Sequence, residues 1–158
     1  MEAFVAFKYL HVVTMFFAVA LAVSGEIVVR RVAQSGDVRA IRTTVGKVKP
    51  LSGPIATGLF LAGVAFGIIA ALTGQIDLLQ PWLIAAYVAF ITAVAIGITI
   101  TDPWVARLEQ AAAAASPEGQ TSPELAAVIG DQRARIGAWA LQGMIAFMVF
   151  LMVVKPLG

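Results

Sequence analysis

The residues able to do chemistry are few, and most lie in apolar surroundings. His11, the one histidine of the chain, stands in "FKYLHVVTMFF" three residues after Lys8. An imidazole without a partner in hydrocarbon is costly, so this position calls for a neighbouring carbonyl or hydroxyl, or for a bound metal or haem. Met15 lies one helical turn further on, and Met144, Met148 and Met152 recur in four-residue steps near the C-terminus. Histidine with thioether is a soft donor set. It suits a haem b iron with His/Met ligation or a copper(I) ion, and suits magnesium or calcium poorly. The same methionines also read as adaptable fillers of a helix interface. Glu26 and Arg30, at i and i+4 of one helix, have the spacing of an ion pair. The other reading of Glu26 is a carboxylate coupled to proton or cation movement. Glu26 lies about 22 Å along a helix axis from His11, so the two cannot share a site within one chain.

Nothing else resembles reaction machinery. There is no nucleophile elbow, P-loop, dinucleotide fingerprint, zinc motif or spaced pair of carboxylates, which leaves no catalytic residue to assign and argues against an ordinary hydrolase or nucleotide enzyme. No basic stripe with interleaved aromatics points to nucleic acid. The absence of cysteine excludes disulfides, thiolate metal sites, iron–sulfur clusters and thioether-linked haem.

The elements that must position these residues are membrane helices. Of 158 residues 60% are hydrophobic and only 13% charged, and the mean hydropathy is +0.91, which is too apolar for a soluble domain of this size. Four apolar segments, at about 3–29, 51–72, 82–100 and 136–154, each approach the ~20 residues a helix needs to cross hydrocarbon. The expected fold is all-α: a single four-helix transmembrane bundle over residues 1–158. The first segment is longer than the apolar part of a signal peptide and lacks a small-residue cleavage site, so it is expected to stay in the protein.

Charge sets the expected orientation. Residues 30–50 carry Arg30, Arg31, Arg39, Arg42, Lys47 and Lys49 against Asp37, while the "TGQIDLLQ" connection has no basic residue. Positive loops stay inside, which puts this connection and the one over residues 101–135 in the cytoplasm and both termini outside. Topology alone accounts for the basic connection, although it could also attract anionic lipid. Tyr9 and Trp82 then fall at the outer interface, Trp104 and Trp139 at the inner one. In the third connection "DPWVARLEQAAAAA" reads as a helix capped by Asp102 with Pro103 in its first turn, "SPEGQTSP" breaks it, and Ser122 with Pro123 opens a second helix that runs straight into the fourth span. A cytoplasmic helical hairpin between spans three and four follows.

Small residues mark the packing seams: Gly63, Gly67 and Ala71 in the second span, and Ala85, Ala89, Ala93 and Gly97 in the third. In the first span Lys8, His11, Thr14, Ala18, Ala22 and Gly25 form one polar and small stripe, with Phe4, Phe16 and Phe17 largely off it. His11 is therefore expected to face protein near the outer edge of the hydrocarbon, with Lys8 reaching the headgroups.

The "KYLH" opening, "SGPIATG" and "LTG" at the two ends of the second span, and the closing "LMVVKP" together resemble the DUF2269 family of predicted bacterial integral membrane proteins, with a more distant similarity to CopD-like copper-resistance domains and HemJ-type protoporphyrinogen oxidases. The resemblance implies a four-helix bundle with His11 as the candidate ligand and Lys8 beside it. Spans two to four lack an interior lysine or arginine, so porphyrin oxidation does not carry over. The combined expectation is a small multi-pass protein with little catalysis of its own. It would bind haem or copper(I) through His11, Met15, Met148 and Met152, or dock as an accessory subunit on a respiratory or redox membrane complex, or self-associate through its small-residue faces. The alternative is a homo-oligomeric transporter or channel built around Glu26, against which stands the almost wholly apolar middle of every span.

Overall fold

The computed structural model describes residues 2–116 and 121–156. It is all helical among those residues: α1 (Glu2–Gln34), α2 (Val38–Pro50), α3 (Ala56–Thr73), α4 (Pro81–Ile96), α5 (Asp102–Ala114), α6 (Pro123–Ile129) and α7 (Gln132–Val154). Four long rods, of 32 to 36 residues, are apolar enough to cross a membrane, as expected, and each is longer than the ~20 residues a crossing needs. Part of "SPEGQTSP" lies outside the described residues.

The basic 30–50 segment is not a loop. α1 continues to Gln34, and the chain reverses at Gly36, whose φ of +71° a side chain would resist. Asp37 then caps α2, accepting a hydrogen bond from the Ala40 amide at 3.0 Å. Val38, Ile41, Val45 and Val48 recur at helical spacing and line the inner face of α2, with the basic residues opposite. Composition alone read this segment as a connection because its positive charge masked that period.

Prolines do not end the rods. A single turn of π-helix at Leu51–Ile55 joins α2 to α3, and another at Gly97–Thr101 joins α4 to α5. Pro54 and Pro103 each lack an N–H and crowd the carbonyl four residues back; widening the ladder, so that the Asp102 amide pairs with Gly97, relieves the clash. Asp102 thus lies in continuous helix with no capping bond, contrary to the expected fresh start. The opposite correction applies before the fourth span. Ser122 does cap α6 through the Leu125 amide, but Gly130 ends that helix and Asp131 recaps α7 by accepting from the Arg133 and Ala134 amides. A short polar break therefore replaces the expected straight run.

Within the span, α1 packs along α3 and α4 along α7. No extensive seam joins these two pairs at that depth among the described residues; Phe60 and Phe90 meet there with ring centroids 6.2 Å apart. The pairs are joined instead at one end. There α2, α5, α6, the tail of α1 and the start of α7 bury a cluster built on Ile41, Val45, Trp104, Leu108 and Leu125. Burying a leucine as fully as Leu108 and Leu125, both 0% exposed, contributes about 1.5–3 kcal/mol where water is the alternative. Trp104 is part of this core, 1% exposed, with its indole N–H donated to the Val128 carbonyl at 2.9 Å; it is not an interfacial belt residue. Trp139 and Tyr9 are exposed as that belt requires.

Arg42 closes the joint. Its guanidinium donates to the carbonyls of Ala112, Ala113 and Ala115 at 2.8, 2.9 and 2.7 Å, satisfying the C-terminal end of α5 with a cation at the negative pole of the helix. Lys49 pairs with Glu109 at 2.6 Å. Two of the cations expected merely to set orientation are thus tied into the packing.

A histidine held on a glycine seam

The polar stripe of α1 faces α3 as expected. Ala18 and Gly25 are buried, while His11, Thr14 and Ala22 are half-buried; Phe16 and Phe17 point outward. Phe4 departs from expectation, since its ring lies against Gly74. Opposite, Gly63 and Gly67 leave the room that the side chains of α1 occupy. A Cβ at position 63 would stand 2.7 Å from Met15 Sδ, and one at 67 would stand 2.8 Å from His11 Nδ1. Because Cβ atoms lean toward the N-terminus of a helix, a side chain at 67 would also screen the carbonyl one turn back. That carbonyl is the one His11 uses: Nδ1 lies 2.7 Å from Gly63 O.

A carbonyl oxygen can only accept, so Nδ1 carries a proton, and in the neutral ring the lone pair is then on Nε2. One ring nitrogen is satisfied by backbone, and the other is a donor atom of fixed tautomer. This is how protein-bound metals are commonly served by histidine, the backbone bond orienting the ring and raising its basicity. Thr14 supplies no competing donor to the ring, since its hydroxyl returns to Leu10 O at 2.7 Å. Lys8 is exposed, with Nζ 5.7 Å from the Phe4 ring centroid.

The second ionisable group is where the helix pairs converge. Glu26 is 7% exposed and pairs with Arg30 at 3.1 Å, the i,i+4 partner read from the sequence. The same Arg30 Nη2 donates to the Ala134 carbonyl of α7 at 2.8 Å, and the guanidinium lies 4.6 Å from the Trp104 ring centroid. One side chain of α1 thereby touches both α5 and α7. Glu26 Oε2, Arg30 Nε and Thr101 Oγ1 are buried without hydrogen-bond partners.

A family model described as a predicted integral membrane protein (DUF2269) matches residues 5–156, nearly the whole chain. The chain belongs to the DUF2269 family. No curated protein and no solved structure matches it.

In this DUF2269 chain the proposed ligands divide between the two helix pairs. His11 and Met15 share one face of α1 against Gly63 and Gly67. Met148, half-buried, and Met152, exposed, lie on α7, which packs along α4 and meets α1 only briefly. The Met144–Met148–Met152 period was legible in the chain; the pairing of helices, which decides what those thioethers face, was not. The buried Arg30 contacts to Ala134 and Trp104 carry no sequence signal beyond the i,i+4 pair.

Proposed function

We propose that this protein is a small multi-pass binding or accessory module of the bacterial inner membrane, with the Nε2 atom of His11 as the ligating atom for a haem iron or a copper(I) ion. The observation that carries the reading is the Nδ1–H bond to Gly63 O at 2.7 Å. It leaves a tautomer-fixed lone pair on the only imidazole of the chain. Met15, at i+4 on the same helix, offers a thioether within reach of a shared soft metal. Met148 and Met152 would complete a His/Met set through α7 of the same chain or of a second copy. The basic residues gathered at the joined end favour that end as cytoplasmic and both termini as external. The apolar outer faces of the spans leave room to dock on a larger respiratory or redox complex.

The test is direct. Protein purified in mild detergent should take up haemin, giving a Soret band, or copper(I), by competition with a chromophoric chelator, and His11→Ala should lose that uptake. Uptake of neither, or binding by His11→Ala equal to wild type, overturns the proposal. For the accessory role, gentle extraction should yield a larger complex, and isolation only as a lone monomer refutes it.

One observation favours a second reading. Glu26 is a buried carboxylate with an unpartnered oxygen at the junction of the two helix pairs, the kind of group transporters use for coupling. Flux in proteoliposomes that is the same in wild type and Glu26→Gln removes it.

A further inference from the structure

A cavity of about 220 Å³ opens where the α4–α5 rod meets the start of α7. Thr99 and Ile100, at the end of the apolar span, line one side; Arg107, Asp131 and Arg133, beyond it, line the other. Its walls thus change from hydrocarbon-like to cationic across the boundary where phospholipid headgroups lie. Asp131 is already engaged: it caps α7 and takes Arg107 Nη2 at 2.6 Å. The guanidinium beside it holds its carboxyl below the ordinary carboxylate range, with the Ala134 and Arg133 amides acting in the same direction. The two arginines against one carboxylate leave one net positive charge. Among the described residues the Arg133 side chain makes no hydrogen bond or ion pair, in contrast to Arg42 and Lys49, which are bound to α5.

We propose that this cavity binds the phosphate of an anionic phospholipid. Arg133 and the remaining N–H groups of Arg107 would hold the phosphate, and the acyl chains would run along Ile100 into the bilayer. The volume is below the roughly 300 Å³ at which pockets begin to enclose a drug-sized molecule, which suits a headgroup whose tails stay outside. A basic pocket between membrane helices at headgroup depth is the usual form of such sites. Asp131 repels a second negative charge, so a phosphodiester with one charge fits better than a doubly charged phosphate monoester.

Delipidated protein is titrated with phosphatidylglycerol, phosphatidylcholine or phosphatidylethanolamine in mixed micelles, and with inorganic phosphate, following the melting temperature. Phosphatidylglycerol should raise it and the zwitterionic lipids should not. Arg133→Gln should need roughly fivefold more phosphatidylglycerol for half the effect, from the worth of one arginine at a charged surface. Among the described residues Arg133 has no partner to lose, so the lipid-free melting temperature should stay at the wild-type value. Arg135→Gln, an exposed change in the same helix outside the cavity, should leave the titration unchanged. Equal stabilisation by the zwitterionic lipids, equal loss in Arg133→Gln and Arg135→Gln, or an equal effect of inorganic phosphate alone each overturns the assignment.

Discussion

Replacing Gly67 with alanine tests the seam and the histidine together. The added Cβ would stand 2.8 Å from Nδ1 and 3.0 Å from Cε1 of His11, well inside contact distance, so the ring must swing away and release Gly63 O. Interhelical hydrogen bonds in membranes contribute on average about 0.6 and at most about 1.7 kcal/mol, and forcing a methyl into a packed interface costs roughly 1–3 kcal/mol. Against this, alanine gains about 1 kcal/mol over glycine in a helix. The net expectation is a destabilisation of about 1–2 kcal/mol. In a His11→Ala background the clash and the bond are both gone, so the same change should be neutral or stabilising by up to ~1 kcal/mol. The coupling between the two sites, about 2 kcal/mol, is read from a double-mutant cycle of reversible unfolding in mixed micelles. Equal costs of Gly67→Ala in the two backgrounds would show that His11 does not occupy the space above Gly67. The histidine bond would then lose its basis, and with it the fixed tautomer.

The remaining predictions concern the joined end. Arg30→Met, which leaves the Glu26 carboxylate buried without its cation, should cost about 3–5 kcal/mol, and Glu26→Gln should cost less; thermal unfolding that ranks them the other way contradicts the arrangement. Leu125→Ala, at a fully buried position, should cost about 2–5 kcal/mol, whereas Leu61→Ala, on a lipid-facing surface, should cost under half of that. Arg42→Gln should speed amide exchange in the last turn of α5 while leaving α3 as slow as in wild type. Asp131→Ala should destabilise by about 1 kcal/mol at pH 7 through loss of the cap. Because the carboxyl of Asp131 is held below its ordinary range in the folded state, its contribution is present above pH ~4 and disappears as pH falls through the lowered value. The wild-type and Asp131→Ala melting temperatures should therefore converge as the pH is taken below that lowered value.

Much of this arrangement was legible in the sequence for a specific reason. Length and apolarity mark the four rods, and the Lys8–His11–Thr14–Ala18 stripe marks the protein-facing side of α1, because in lipid polar and small residues have nowhere else to go. The seam of the third span, which is α4, was read one residue out of register at its start. Trp82, Ala86, Ala89 and Ala93 are buried and Gly97 faces open space, since the bulk of Trp82 sets the face that regular alanine spacing obscured. The prolines misled for the opposite reason. Pro103 was read as opening a new helix, but a π turn carries the rod through it, as another does at Pro54. Helix pairing itself leaves almost no trace in a chain whose outward faces are as apolar as its inward ones.

The joined end shows why the dense core of the described residues gathers the more polar helices outside the apolar spans. Between helices surrounded by lipid, burying leucine gains little, because the acyl chains are as apolar as the partner. Only where the rods project into water does burial of Trp104, Leu108 and Leu125 supply a large term. The two pairs are accordingly fastened there, and along the bilayer each pair is held by close approach at glycine and alanine. Arg30 spans that joint, paired with Glu26 in its own helix and bonded to Ala134 in the other pair. A change that separates the pairs in the membrane can reach the joint through Arg30, and a change at the joint can reach the contact between the pairs by the same route. Crosslinks between introduced cysteines at positions 60 and 90, where the pairs touch in the span, should therefore form less readily in Arg30→Met than in wild type. Equal crosslinking would mean that the pairs are positioned by the lipid and by α3 and α4 alone, with Arg30 serving only its own end.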